Sequence, residues 1–201
     1  IILVVLGHHK FLRGYADWYL AYDAIIYSFH MGFFMCISGF LIKYSYHPDM
    51  TYWEYVKRKI KKFVPPYLIV GVIGALIANI SDFSLPRFIK DIALLFYSPL
   101  DGEIQIIWYI YVLLIFYLIT PFIMKLSKKT FYVLLALAVG MSCISHVIPD
   151  IFCLSAIFRL FVFYLLGVLI CEHRDKIKTA KNQVLFYSSI PFLLFCVSCI
   201  W

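Results

Sequence analysis

The 201-residue chain is 64% hydrophobic and 14% charged, with a formal net charge of +7. That balance excludes a water-soluble globular domain and identifies an integral membrane protein. The apolar stretches run continuously and do not alternate, which selects helices over a barrel, and no basic segment with a small-residue cleavage site marks a signal peptide.

Apolar runs of about 20 residues, each able to cross roughly 30 Å of hydrocarbon, recur between short charged segments. In chain order they predict a first span ending near His8, then Ile25 to Tyr44, Phe63 to Ile80, Ile104 to Met124, Phe131 to Val147, Ile151 to Cys171, and a last span from Val184 onward. The fold class expected is therefore all-α, a polytopic transmembrane bundle with about seven spans in residues 1–201. The chain opens and closes inside apolar runs, at Ile1 and Trp201, and reads as a single transmembrane domain cut through two helices.

Two connections carry their own helical pattern. Trp53, Val56, Ile60 and Val64 recur at helical steps while Lys57, Arg58, Lys61 and Lys62 fall on other faces, predicting an amphipathic surface helix that Pro65-Pro66 separates from the following span. Ser84-Leu85-Pro86 before Arg87 predicts a second short helix with Ser84 at its N-cap.

Charge alternates with the connections. The segments around Tyr46 to Lys62, Lys125 to Lys129 and Glu172 to Lys181 hold thirteen Lys or Arg, counting Lys43, against four in the intervening set. The positive-inside rule makes the first set cytoplasmic. The six cysteines are scattered through apolar segments and read as small core- or lipid-facing residues, including the Cys196–Cys199 pair, which has no His or acidic residue nearby; no metal site is expected.

Several residues can carry chemistry. His8 and His9 close the first span, where an ionisable side chain is a functional candidate and neutral imidazole is a general base; the alternative is a water-exposed boundary pair. His30 lies deeper in its span, either as a site residue or as a buried histidine bonded to a neighbouring helix. The Lys57 to Lys62 cluster sets topology and can also hold anionic lipid or a phosphorylated ligand, with Arg58 and Lys61 spaced to share one helical face. Arg159 either snorkels or points into a cavity, and Trp108-Tyr109 are either interfacial anchors or ligand contacts.

Taken in order, Leu3-Val4-Val5-Leu6-Gly7-His8, Phe29-His30-Met31-Gly32 through Ser38-Gly39-Phe40-Leu41-Ile42, the basic segment through Pro65-Pro66-Tyr67, Ile107-Trp108-Tyr109 and Arg159 through Gly167 resemble the membrane acyltransferase 3 family of bacterial O-acyltransferases. The resemblance implies a bundle of about ten helices, of which this chain would hold the first seven. It implies transfer of an acyl group, commonly acetyl from acetyl-CoA on the cytoplasmic side of the cell membrane, to a hydroxyl of a cell-envelope carbohydrate or glycolipid. Nucleic acid is not an expected partner.

On that resemblance His8 is the catalytic histidine. The family's Arg-x-x-Arg pair falls on Arg58 and Lys61, with Lys in place of the second Arg and Lys62 able to share its role. His30, Ser38, Trp108 and Arg159 are further candidates for a channel or acceptor site, the channel leading from the basic cluster toward the outer face. The rival reading is a multi-pass permease for an anionic or sugar-linked substrate, which a repeat between halves would favour; none is seen.

Overall fold

The structure is a computed structural model that describes residues 30–81, 83–101 and 107–173, the side chain of Lys43 excepted. The first and last spans expected from the sequence, together with His8 and His9, lie outside the described residues. Among those described there is no strand. The helices are α1 (His30–Phe40), α2 (Tyr52–Ala78), α3 (Leu85–Tyr97), α4 (Trp108–Ile123), α5 (Lys128–Ile144) and α6 (Leu154–His173).

Three stretches are long and apolar enough to cross a membrane: Tyr52–Ala78, Lys128–Val147 and Ile151–His173. Helices α1 and α4 are apolar but shorter. On α2 the side chains of Ile69, Ile73 and Ile77 stand 50–63% exposed. An apolar stripe of that kind is costly in water and is at rest against lipid. Leu137 and Val133 of α5 are exposed in the same way.

Chain contacts divide the molecule into two compact units. One comprises residues up to Lys43 and from Phe163 on; the other runs from Tyr44 to Val162.

In the first unit, α1 and the second part of α6 approach to backbone contact. A Cβ on Gly39 would collide with the Tyr164 carbonyl oxygen, and one on Gly167 with the Cys36 carbonyl oxygen. Glycine is required at both positions because a side-chain atom has no room there, as in other closely packed membrane helices. The same Gly39 and Gly167 appear in the sequence patterns around Ser38 and Arg159, which gives those patterns a packing cause.

In the second unit, α2 packs antiparallel against α4 through a ladder of rings. Tyr52 meets Phe122 at 5.3 Å between centroids, Phe63 meets Tyr117 at 5.3 Å, and Tyr67 meets Tyr111 at 6.2 Å. The outer face of this pair receives α3. Gly71 leaves space for Leu95, and Tyr67, Leu95 and Ile107 form a buried cluster.

A helix ends with carbonyls that have no partner within it. In α3 the Tyr67 hydroxyl donates to the Leu95 carbonyl at 2.5 Å and the Tyr111 hydroxyl to the Phe96 carbonyl at 3.4 Å. Asn79, fully buried at the end of α2, completes the attachment by donating Nδ2 to the Ala75 carbonyl and to Asp91 Oδ2 of α3, both at 2.8 Å.

Sequence and structure differ in two local respects. The surface helix and the third span are one helix, because both prolines of Pro65-Pro66 lie inside α2. Each proline removes one N–H, but its fixed φ is compatible with the helix, and membrane helices tolerate the freed carbonyls. Its start is set by a capping box: Thr51 Oγ1 accepts from the Glu54 N–H at 3.3 Å and the Thr51 N–H donates to Glu54 Oε2 at 2.9 Å.

The face of that helix turned to the protein is set by α4. Trp53 and Ile60 are 68% and 42% exposed, whereas Tyr55, Val56 and Lys59 are buried. Finally, Ser84 does occupy the N-cap of α3, with Pro86 in the first turn, but its side chain makes no capping hydrogen bond.

Candidate functional site

Helix α2 gathers the charge. Beyond Lys62 it is uncharged to Ala78, about 24 Å at 1.5 Å per residue, so the Lys57 to Lys62 segment sits at the end of the apolar stretch. Long cationic side chains at such a boundary extend their heads to water while their stems stay on apolar surface.

Lys57, Arg58, Lys61 and Lys62 are all exposed. Arg58 and Lys61 are three residues apart on a continuous helix and therefore neighbours on its surface. Lys62 Nζ lies 5.5 Å from the Phe63 ring centroid. The structure thus brings Arg58, Lys61 and Lys62 together on the solvent side of one rigid element, as their spacing predicts.

Lys59 stands apart from its neighbours. It is 7% exposed, with Nζ 3.9 Å from the Tyr117 ring centroid on α4 and 5.2 Å from that of Tyr55. Composition and helical spacing place it inside a charge run, and only the partner helix shows its burial. The signal available in the sequence was the Tyr55-x-x-x-Lys59 step, which puts an aromatic ring one turn before a cation on the same face.

The other candidates occupy separate places. His30 is 1% exposed at the start of the described part of α1. Ser38, also on α1 and partly buried, donates its hydroxyl to the Phe34 carbonyl at 2.8 Å, a bond within its own helix. Trp108 opens α4, half-buried and edge-on to Tyr109 at 6.3 Å. It lies about 14 Å along the axis from Tyr117 and so is not part of the basic end. Arg159 is half-buried on α6.

His30 and Ser38 belong to the first unit, and Arg58, Lys61, Lys62, Trp108 and Arg159 to the second. Among the described residues no three His, Cys, Asp or Glu side chains gather as metal ligands. Of the described cysteines, Cys36, Cys153 and Cys171 are buried and Cys143 exposed, all as free thiols.

Lipid-facing helices with a concentrated cationic end define an α-helical membrane protein. The chain belongs to the acyltransferase 3 family, whose model, described as an acyltransferase domain, matches residues 1–201. It is therefore an acyltransferase of the membrane, as its sequence patterns implied. Comparison with curated proteins and with solved structures gives no match.

Proposed function

We propose that this enzyme moves an acetyl group from acetyl-CoA to a hydroxyl of a cell-envelope carbohydrate, with its basic segment on the cytoplasmic side of a bacterial cell membrane. The observation that carries the reading is the exposed Arg58, Lys61 and Lys62 on one stretch of α2 in an acyltransferase domain. Coenzyme A presents phosphates, and cations held on a helix bind phosphate oxygens by charge-assisted hydrogen bonds. Lysine at position 61 supplies charge without the fork geometry of arginine, so Arg58 provides the directional contact and Lys61 and Lys62 the point charges.

A hydroxyl is a weak nucleophile near neutral pH and needs a base. In this reading the His8 imidazole takes the hydroxyl proton as the oxygen attacks the thioester carbonyl. The carbon–sulfur bond then breaks, and the departing thiolate takes a proton from the imidazolium. Coenzyme A and an O-acetyl ester result, and the histidine is regenerated.

The test uses the purified protein in detergent with acetyl-labelled acetyl-CoA and an extract of envelope polysaccharide. Label enters polysaccharide as base-labile ester with the wild type, and His8→Ala reduces the rate by about 100-fold or more, the scale of lost general-base catalysis. Equal transfer by both proteins removes His8 from the mechanism. Absence of transfer to any hydroxylated acceptor by the wild type removes the carbohydrate reading.

A further inference from the structure

The helix does not treat its run of cations alike. At about 100° per residue, Lys57, Arg58 and Lys61 point away from the direction of Lys59, which shares its side with Tyr55, Val56 and Phe63, while Lys62 lies between the two directions. Exposure follows that division: Lys57, Arg58 and Lys61 are exposed, and Lys59 is buried beside Tyr55 and Val56.

Among the described residues Lys59 makes no ion pair and no hydrogen bond; its contacts are the faces of Tyr117 and Tyr55. The Lys59 stem is buried, and the electron-rich faces of two tyrosines attract its ammonium. Leucine or methionine in the same space would make apolar contacts only. The charge adds a contact to α4 that apolar packing does not supply.

The rings around it set that contact in place. Tyr52 against Phe122 and Phe63 against Tyr117 are tilted ring contacts on the same seam. A point charge over a ring face is attracted most strongly at one position and defines a rotation. We propose that Lys59 is a positioning residue for the donor site: clamped by Tyr55 and Tyr117, it keys the rotation of α2 against α4 so that Arg58, Lys61 and Lys62 together face the phosphates of the donor. This rests on the donor reading above.

The experiment measures acetyl-transfer kinetics and coenzyme A binding for Lys59→Met, Lys59→Arg, Tyr117→Leu, the Lys59→Met/Tyr117→Leu double variant and Arg58→Ala/Lys61→Ala. Each protein is first checked by gel filtration and thermal unfolding. Lys59→Met raises the donor KM about tenfold with kcat changed less than about twofold, and Lys59→Arg, which keeps a cation over the ring, restores it. Tyr117→Leu reproduces the KM effect, and the double variant is no worse than either single change, the mark of a shared contact.

An unchanged KM in Lys59→Met overturns the proposal. So does a raised KM in Lys59→Met with a normal KM in Tyr117→Leu, because Lys59 then acts on the donor directly. If Lys59→Met does not fold, the decision passes to Lys59→Arg with and without Tyr117→Leu: equal KM values in the two overturn the clamp. If Arg58→Ala/Lys61→Ala binds coenzyme A as tightly as wild type, the donor reading fails. Loss of binding in that variant with none in Lys59→Met rejects the clamp alone.

Discussion

Gly39 and Tyr164 meet backbone to backbone: the Tyr164 carbonyl oxygen occupies the space where any Cβ on Gly39 would lie. Gly167 stands in the same relation to the Cys36 carbonyl oxygen. Neither carbonyl can retreat without disturbing a helix, so the contact is rigid on both sides.

Gly39→Ala and Gly167→Ala are each expected to destabilise the protein by about 1–3 kcal/mol, the range for overpacking a tight interior. Gly140 on α5 provides the contrast, since an added Cβ meets nothing within 4 Å. Gly140→Ala should be neutral or stabilising by up to about 1 kcal/mol, from helix propensity. Thermal unfolding in one detergent orders the three variants, and a Gly39→Ala protein as stable as Gly140→Ala would refute the close approach.

Tyr67→Phe removes one hydroxyl and leaves the Leu95 carbonyl in α3 without that donor. The bond is buried and links residues 28 positions apart. Loss of about 1–3 kcal/mol is expected, as for a buried carbonyl left unsatisfied. Hydrogen exchange should show the loss concentrated in α3; an effect spread evenly over α2, α3 and α4 would contradict the assigned role.

Asn79 and Asp91 join the end of α2 to α3. Asp91 is 7% exposed, and its only side-chain hydrogen bond among the described residues comes from Asn79. Asn79→Leu removes the donor to a largely buried carboxylate and is expected to cost about 1–3 kcal/mol. Adding Asp91→Leu removes the stranded charge as well and should recover part of that stability, a non-additivity that a double-mutant cycle on thermal unfolding reads directly. Additive losses would mean the two side chains are not coupled.

How much of this was legible beforehand depends on what each signal reports. Hydropathy located α2, α5 and α6 because a long apolar run is a local property of the chain. Ser84 was placed correctly at its N-cap, since Pro86 constrains the first turn of α3. Which face of α2 meets the protein was not legible: spacing groups Trp53, Val56 and Ile60 as one apolar face, and α4 selects Tyr55, Val56 and Lys59 through rings that are remote in sequence. Pro65-Pro66 suggested a boundary because proline breaks most helices in water, a preference that membrane packing overrides.

The candidate site was legible in part for the same reason. Arg58 and Lys61 share a surface by spacing alone, and the continuous helix keeps them there. The burial of Lys59 depends on Tyr117, more than fifty residues along the chain, which the local Tyr55-x-x-x-Lys59 step does not reveal. Ser38, marked by its place in a family pattern, donates its hydroxyl to the Phe34 carbonyl of its own helix.

Coenzyme A binding by the purified protein, followed by calorimetry at low and high salt, tests most directly whether the basic end of α2 holds the donor. Arg58→Ala together with Lys61→Ala should weaken binding by about 100-fold at low salt, from two lost charge-assisted contacts. Lys57→Ala should weaken it by less than about threefold, and added salt should narrow the difference as exposed charges are screened. Equal losses from Lys57→Ala and from the Arg58/Lys61 pair would mean diffuse attraction, and undiminished binding in the paired variant would contradict a donor site on α2.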